Sequence, residues 1–244
     1  MRYFILFYAF VLCSMTVSAQ RTIQIHKVSS PISIDGVADE ADWKQHRIAE
    51  HFTQTRPDNG KPSIRKTEVA ILYDESYLYV LGIMHVESKA EINSQLSARD
   101  DVGNADVFAI QIDPFGETRE GYDFTVTAAN VQTDLKLSQN NAYENFNVVW
   151  ESAVKLYETQ WIAEFKIPFN SIRFPKEAMN NFKINFQRVS TKLNEESFWN
   201  PIRPEVDGFL NQFGQLTGLP KITPPLNLSF LPFVSVVNEK SPDG

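Results

Sequence analysis

Beyond Cys13 the sequence contains no cysteine. That absence removes disulfides, thiol nucleophiles and thiolate metal ligands together. Histidine is scarce as well. His26, His46, His51 and His85 are scattered, none is paired at ligand spacing, and no His-Glu-x-x-His stretch occurs, which argues against a zinc site. A Gly-x-Ser-x-Gly elbow is missing, so no serine nucleophile stands out. Gly60-Lys61-Pro62-Ser63 imitates the end of a phosphate loop, but it lacks the earlier glycine and its proline breaks the helix that should follow. Basic residues are outnumbered 23 to 30, for a net charge of −7, which disfavours nucleic acid and anionic membrane as partners. No run of 18 apolar residues follows Ala19, so no transmembrane helix is expected. Helical periodicity is almost absent too.

The opening segment reads as a secretory signal. Arg2 supplies a cation, Phe4 to Val11 is apolar but too short to span a bilayer, and Val17-Ser18-Ala19 ends in small residues. Cleavage after Ala19 is expected, and Leu12 before Cys13 does not fit a lipoprotein signal. The chain then divides into a signal peptide (1–19), a β-sandwich (20–219) and a tail (220–244). The expected location is outside the cytoplasm, in the periplasm or associated with the outer membrane.

Period-two patterning dominates the middle of the chain. Strands are expected near Thr22–Val28, Pro31–Gly36, Lys66–Asp74, Tyr77–Val86, Ala105–Asp113, Gly121–Ala128, Val131–Leu137, Val148–Tyr157, Trp161–Ile167, Phe182–Val189 and Phe213–Leu219. Tyr77–Val86 is apolar on both faces and so predicts a strand covered on both sides. Asp39-Glu40-Ala41-Asp42-Trp43 predicts one helical turn that folds Trp43 back onto the body of the protein. Many short strands with little helix define an all-β fold, a two-sheet antiparallel sandwich of about ten strands.

Function concentrates between Phe182 and Ile202. Phe182, Ile184 and Phe186 alternate with Lys183, Asn185 and Gln187, and Phe198-Trp199-Asn200 follows a polar turn. Amide and charged groups beside a flat indole suit a sugar ring, whose hydroxyls need paired donors and acceptors and whose C–H face stacks on aromatics. The plainer reading is a half-buried strand with a wet outer face. Gln187, Trp199, Asn200, Asn185, Arg188 and Glu196 are the candidate binding residues; Arg188 and Arg203 either join the site or form ion pairs across strands. The paired carboxylates Glu195-Glu196, Asp100-Asp101 and Asp39-Glu40 are what 30 acidic residues produce by chance. Glycoside hydrolysis needs two carboxyls spaced across one bond, so an enzyme is not expected.

The tail differs from the rest. Lys221 to Pro225 is a stiff linker, and Leu226 to Val237 alternates over a length that suits a transmembrane β-strand. One strand cannot close a barrel, so it is either an edge strand of the sandwich or the start of something longer.

Several stretches taken together resemble one family: IDGVADEADW (34–43), TEVAILYDESYLYV (67–80), ADVFAIQIDPFGETREGYDFTVTAANVQTD (105–134), WIAEFKIPFNSIRFP (161–175) and NEESFWNPI (194–202). They resemble the carbohydrate-binding module family 9-like domain, and more closely its version at the front of DUF5916 proteins of Bacteroidetes-type bacteria. There the sandwich precedes a large outer-membrane β-barrel. The resemblance implies an oligo- or polysaccharide ligand, or a role as accessory domain to a barrel with Phe198-Trp199 as interface anchor. In sugar-binding members two tryptophans clamp the ligand, aided by amide, acidic and arginine side chains. Trp199-Asn200 and Gln187 match part of that set, while the second tryptophan has no counterpart near Asp101-Val102-Gly103-Asn104. Some members hold structural calcium. Asp100, Asp101 and Asp106 could supply oxygens here, without EF-hand spacing; the alternative is a solvated acidic loop.

Overall fold

The computed structural model describes residues 20–139, 142–143, 146–173 and 182–221. The expected signal (1–19) and the alternating tail from Ile222 onward lie outside the described residues. Among the described residues no helix is long and apolar enough to cross a membrane.

The chain opens with two short strands, β1 (Thr22–Gln24) and β2 (His26–Lys27), then an irregular segment and helix α1 (Ala41–Gln45). Strands β3 (Arg47–Ala49), β4 (Thr53–Arg56), β5 (Thr67–Tyr73) and β6 (Tyr77–His85) follow. The middle of the chain gives β7 (Val107–Asp113), β8 (Glu120–Thr127), β9 (Gln132–Ser138) and β10 (Ala142–Tyr143). The rest are β11 (Glu151–Leu156), β12 (Gln160–Pro168), β13 (Lys183–Ser190), β14 (Glu195–Phe198) and β15 (Gly214–Thr217).

Two sheets form. The larger runs β1-β15-β13-β7-β8-β9-β10, with β14 paired to β13 and β4 paired to β14. The smaller runs β11-β12-β6-β5-β2, with β3 also on β5. Pairing is antiparallel except where the first two strands join: β1 lies parallel to β15 and β2 parallel to β5. The expected sandwich is therefore present, with mixed rather than purely antiparallel sheets. The strands not foreseen, β3, β4, β10 and β14, have four residues or fewer, too few for alternation to register.

Alternation decides the core. Phe108, Ile110 and Ile112 on β7, Phe124 and Val126 on β8, Ile184 and Phe186 on β13, and Trp161, Ala163 and Phe165 on β12 meet between the sheets and are fully or almost fully buried. Trp150 stacks on Phe165 at 5.4 Å and donates its indole N–H to Asp134. Gly82 on β6 leaves room for the Phe108 ring, since a Cβ there would lie 2.5 Å from it.

The outer faces of the two sheets differ. On the smaller sheet, Ala70, Leu72, Tyr79, Leu81, Ile83 and Ile162 are covered by Trp43 and by Val28, Ile32, Ile34 and Ala38. Pro31–Gly36 is thus a flap rather than the expected strand. Its ladder is replaced by one side chain: Glu164 Oε2 accepts the N–H groups of Asp35 (2.9 Å) and Gly36 (2.7 Å), and Oε1 accepts the Trp43 indole (3.1 Å). On the larger sheet, Leu137 and Phe198 are covered at one end by Ile202, Leu210 and Phe213. Elsewhere on that face Gln111, Asp123, Thr125, Thr133 and Gln187 are interspersed with Val107, Ala109 and Leu135.

Candidate functional site

Five neighbouring strands of the larger sheet contribute to a continuous polar row. On β7 and β8, Gln111 and Asp123 occupy the phase opposite to Ile110, Ile112 and Phe124, and they stand directly across from each other. Gln187 of β13 lies diagonally beyond, and Glu196 of β14 and Thr55 and Arg56 of β4 complete the row. Thr125 Oγ1 donates to Asp123 Oδ1 at 2.5 Å. Gln111 Nε2 donates to Asp123 Oδ2 at 3.0 Å and to Gln187 Oε1 at 2.9 Å. Gln187 Nε2 donates to Glu196 Oε1 at 2.6 Å. Glu196 Oε2 accepts from Thr55 Oγ1 at 2.9 Å and from Arg56 Nε at 3.1 Å.

The row grades from dry to wet. Gln111 and Asp123 are buried, Gln187 and Glu196 are half-buried, and the Arg56 side chain is 57% exposed. Burial pushes the Asp123 carboxyl up to about 6, against the opposing pull of its bonds from Thr125 and Gln111. Gln111 Oε1 and Thr133 Oγ1 are buried with no hydrogen-bond partner among the described residues. An unpaired buried acceptor costs about 1–3 kcal/mol, so the dry end of the row carries an unmet cost and is closed to a ligand. The exposed end of the row offers planar donors and acceptors side by side, as polyol recognition requires.

The six residues expected to form the site separate into three groups. Gln187 and Glu196 come together on the outer face. Trp199 does not join them: its ring lies between the sheets, 4% exposed, edge-on to Phe186 at 5.8 Å and against Gly214. No face of it is available for stacking, and Phe198, 3% exposed, packs into the outer apolar cluster. The pair provides neither a sugar platform nor an exposed interface anchor. Asn185 and Asn200 are ties between segments. Asn185 Oδ1 accepts the N–H groups of Phe186 and Asn200, and its Nδ2 donates to the Asn200 carbonyl. Asn200 Oδ1 accepts the Arg21 N–H, and Nδ2 donates to the Gln212 carbonyl at 2.5 Å. Arg188 points inward, because its position shares the phase of Ile184 and Phe186, and it is 2% exposed.

The calcium candidates do not converge. Asp106 is buried and accepts from the N–H and hydroxyl of Thr191. Asp101 caps its own turn through Gly103 N–H, and Asp100 sits in the same exposed turn with a φ of 66°. Among the described residues no three His, Cys, Asp or Glu side chains are grouped to hold a metal ion.

Gln111, Asp123, Thr55 and Arg56 were not singled out in the sequence. Gln111 and Asp123 left a signal, each being polar at the off-phase position of an apolar strand. Thr55 and Arg56 left none, since β4 is only four residues long.

The family model for the carbohydrate family 9 binding domain-like proteins matches residues 34–198. The chain belongs to that family. A proposed carbohydrate-binding protein from Bacteroides uniformis shares the fold with a TM-score of 0.63 and 16% identity, over 81% of this chain and 99% of that one. A family 9 carbohydrate-binding module from Caldicellulosiruptor kristjanssonii is similar both in complex with glucose (TM-score 0.56, 16% identity, 84% of this chain and all of that one) and with cellotriose (0.56, 15%, 88% and 100%). No curated protein matches the sequence. At these identities the structural likeness concerns the fold.

Proposed function

We propose that this protein is an exported, non-catalytic carbohydrate-binding module that takes its ligand at the solvent end of the polar row, against Gln187, Glu196 and Arg56. The row itself carries the reading: linked amide, carboxylate and guanidinium groups on an outer sheet face of a family 9-like sandwich. With no exposed indole beside it, the row relies on hydrogen bonds alone. These exchange against water and return only about 0.5–1.5 kcal/mol each, so the affinity expected is weak, on the order of millimolar or about −4 kcal/mol. Its place is the periplasm or the outer-membrane surface, where polysaccharide is met.

The test is a titration of the protein with glucose and with cellotriose, followed by amide chemical shifts. Saturable shifts at Gln187 and Glu196, lost in Glu196→Gln or Gln187→Ala, are expected. Saturation that survives both substitutions places the ligand elsewhere, and no saturation with either sugar or with longer oligosaccharides ends the reading.

A further inference from the structure

The chain crosses between the sheets twice in quick succession, from β3 to β4 through residues 50–52 and from β4 back to β5 through residues 57–66. A cleft of about 450 Å³ opens between these crossings, and a recess of about 440 Å³ continues it through the shared residues Arg21, Glu50 and His51. Neither borders Gln187 or Glu196.

The cations of this cleft are matched unequally. Lys66 bridges Glu50 and Glu68, and Arg65 is held by Glu91 and Glu87. Arg21 has no carboxylate partner among the described residues. It is anchored through Nη1 alone, to the carbonyls of His51 (2.8 Å), Glu50 (3.4 Å) and Trp199. Its Nε and Nη2 donors meet no acceptor among the described residues, although burial pulls the group's pKa down. A half-buried guanidinium with a free fork is unusual in a chain of net charge −7. That fork has the geometry for a carboxylate held by two parallel bonds. Beside it, His51 is held at a φ of 62°, a costly conformation for a residue with a Cβ. Its imidazole is exposed and has no hydrogen-bond partner among the described residues.

We propose that this cleft binds an acidic sugar, a hexuronate residue, with its carboxylate on the Arg21 fork and its hydroxyls within reach of His51. The volume decides between an acidic sugar and a bare anion. A space of 450 Å³ falls in the range of small-molecule pockets and leaves a lone carboxylate or sulfate in contact on one side only. The charge decides between an acidic and a neutral sugar, because a neutral ring would strip water from the fork without pairing its charge. This second site is independent of the polar row.

The experiment is a calorimetric titration of the protein with glucuronate, acetate and glucose at low and high salt. Glucuronate is expected to bind at least tenfold more tightly than acetate or glucose, and more weakly as salt rises. Arg21→Lys keeps the charge but loses the fork, and a loss of tenfold or more is expected. His51→Ala removes a solvent-facing ring and is expected to weaken binding several-fold. Glu196→Gln should leave glucuronate binding as it was. Acetate binding as tightly as glucuronate, equal binding of glucose, or full affinity in His51→Ala overturns the proposal, even if Arg21→Lys fails to fold.

Discussion

Trp199 sits edge-on to Phe186 with its six-membered ring against Gly214, and its neighbours are interior. Trp199→Ala is therefore expected to cost about 3–5 kcal/mol of stability, as large-to-small core changes do, measurable by urea unfolding. Gly214→Ala should be damaging too, though less so: the added Cβ would lie 2.4 Å from the indole and 2.8 Å from the Arg21 carbonyl, which is backbone and cannot swing aside. Overpacking of this kind costs about 1–3 kcal/mol. The same residues show what the sequence discloses at this scale. Ile184, Phe186 and Gln187 took their sides from a period of two along an unbroken strand. Trp199 follows the last residue of β14, where the chain turns, so alternation no longer fixes the direction of a side chain. Asn185 has the outward phase, yet it is covered by the chain segment it binds.

The flap over the smaller sheet depends on one carboxyl. Glu164 was legible as outward-facing on β12, but its burial was not, because the cover arrives from residues about 120–130 positions earlier. Burial, aided by Glu40 and Asp35, pushes its pKa from 4.5 up to about 7. The native state then holds the proton more tightly than the unfolded chain does. Unfolding free energy should fall as pH rises from about 4.5 to about 7 and level off above, by proton linkage. Urea melts across that window measure the slope. Glu164→Gln is expected to flatten part of it while losing the bond to the Trp43 indole, and Asp123→Asn is expected to remove a second part that ends near pH 6. The helical turn Ala41–Gln45 was legible, from acidic residues set before an aromatic. The flap between it and β2 was not legible, since Pro31–Gly36 has the composition of a strand and only Glu164 shows that no ladder is needed.

At the scale of the molecule, Arg188 joins the two layers. It rises from β13 of the larger sheet and donates to the Lys66 carbonyl (3.0 Å), to Thr67 Oγ1 (3.1 Å) and to the His85 carbonyl (2.7 Å) of the smaller one. Burial lowers its pKa to about 10 against the opposing field of Glu195, Asp106 and Glu91, so it stays charged at neutral pH. Arg188→Ala removes these charge-assisted bonds, although the Lys66 carbonyl keeps the His85 N–H, and is expected to cost about 1.5–3 kcal/mol, again read from urea unfolding. The sandwich was legible in the spacing of its strands. The polar row was not, because it depends on which strands become neighbours: β13 sits beside β7, some 70 residues earlier in the chain, and short-range patterning carries no information on that order.

Strands β1 and β15, the first and last of the described chain, run side by side in the same direction, tied by Ile25 N–H to the Thr217 carbonyl and by Gln215 N–H to the Arg21 carbonyl. Tension applied at residues 20 and 221 therefore slides one strand along the other and loads these bonds together, in shear, instead of peeling them apart in turn. A domain clasped in this way resists traction between those two residues better than heat or denaturant would suggest.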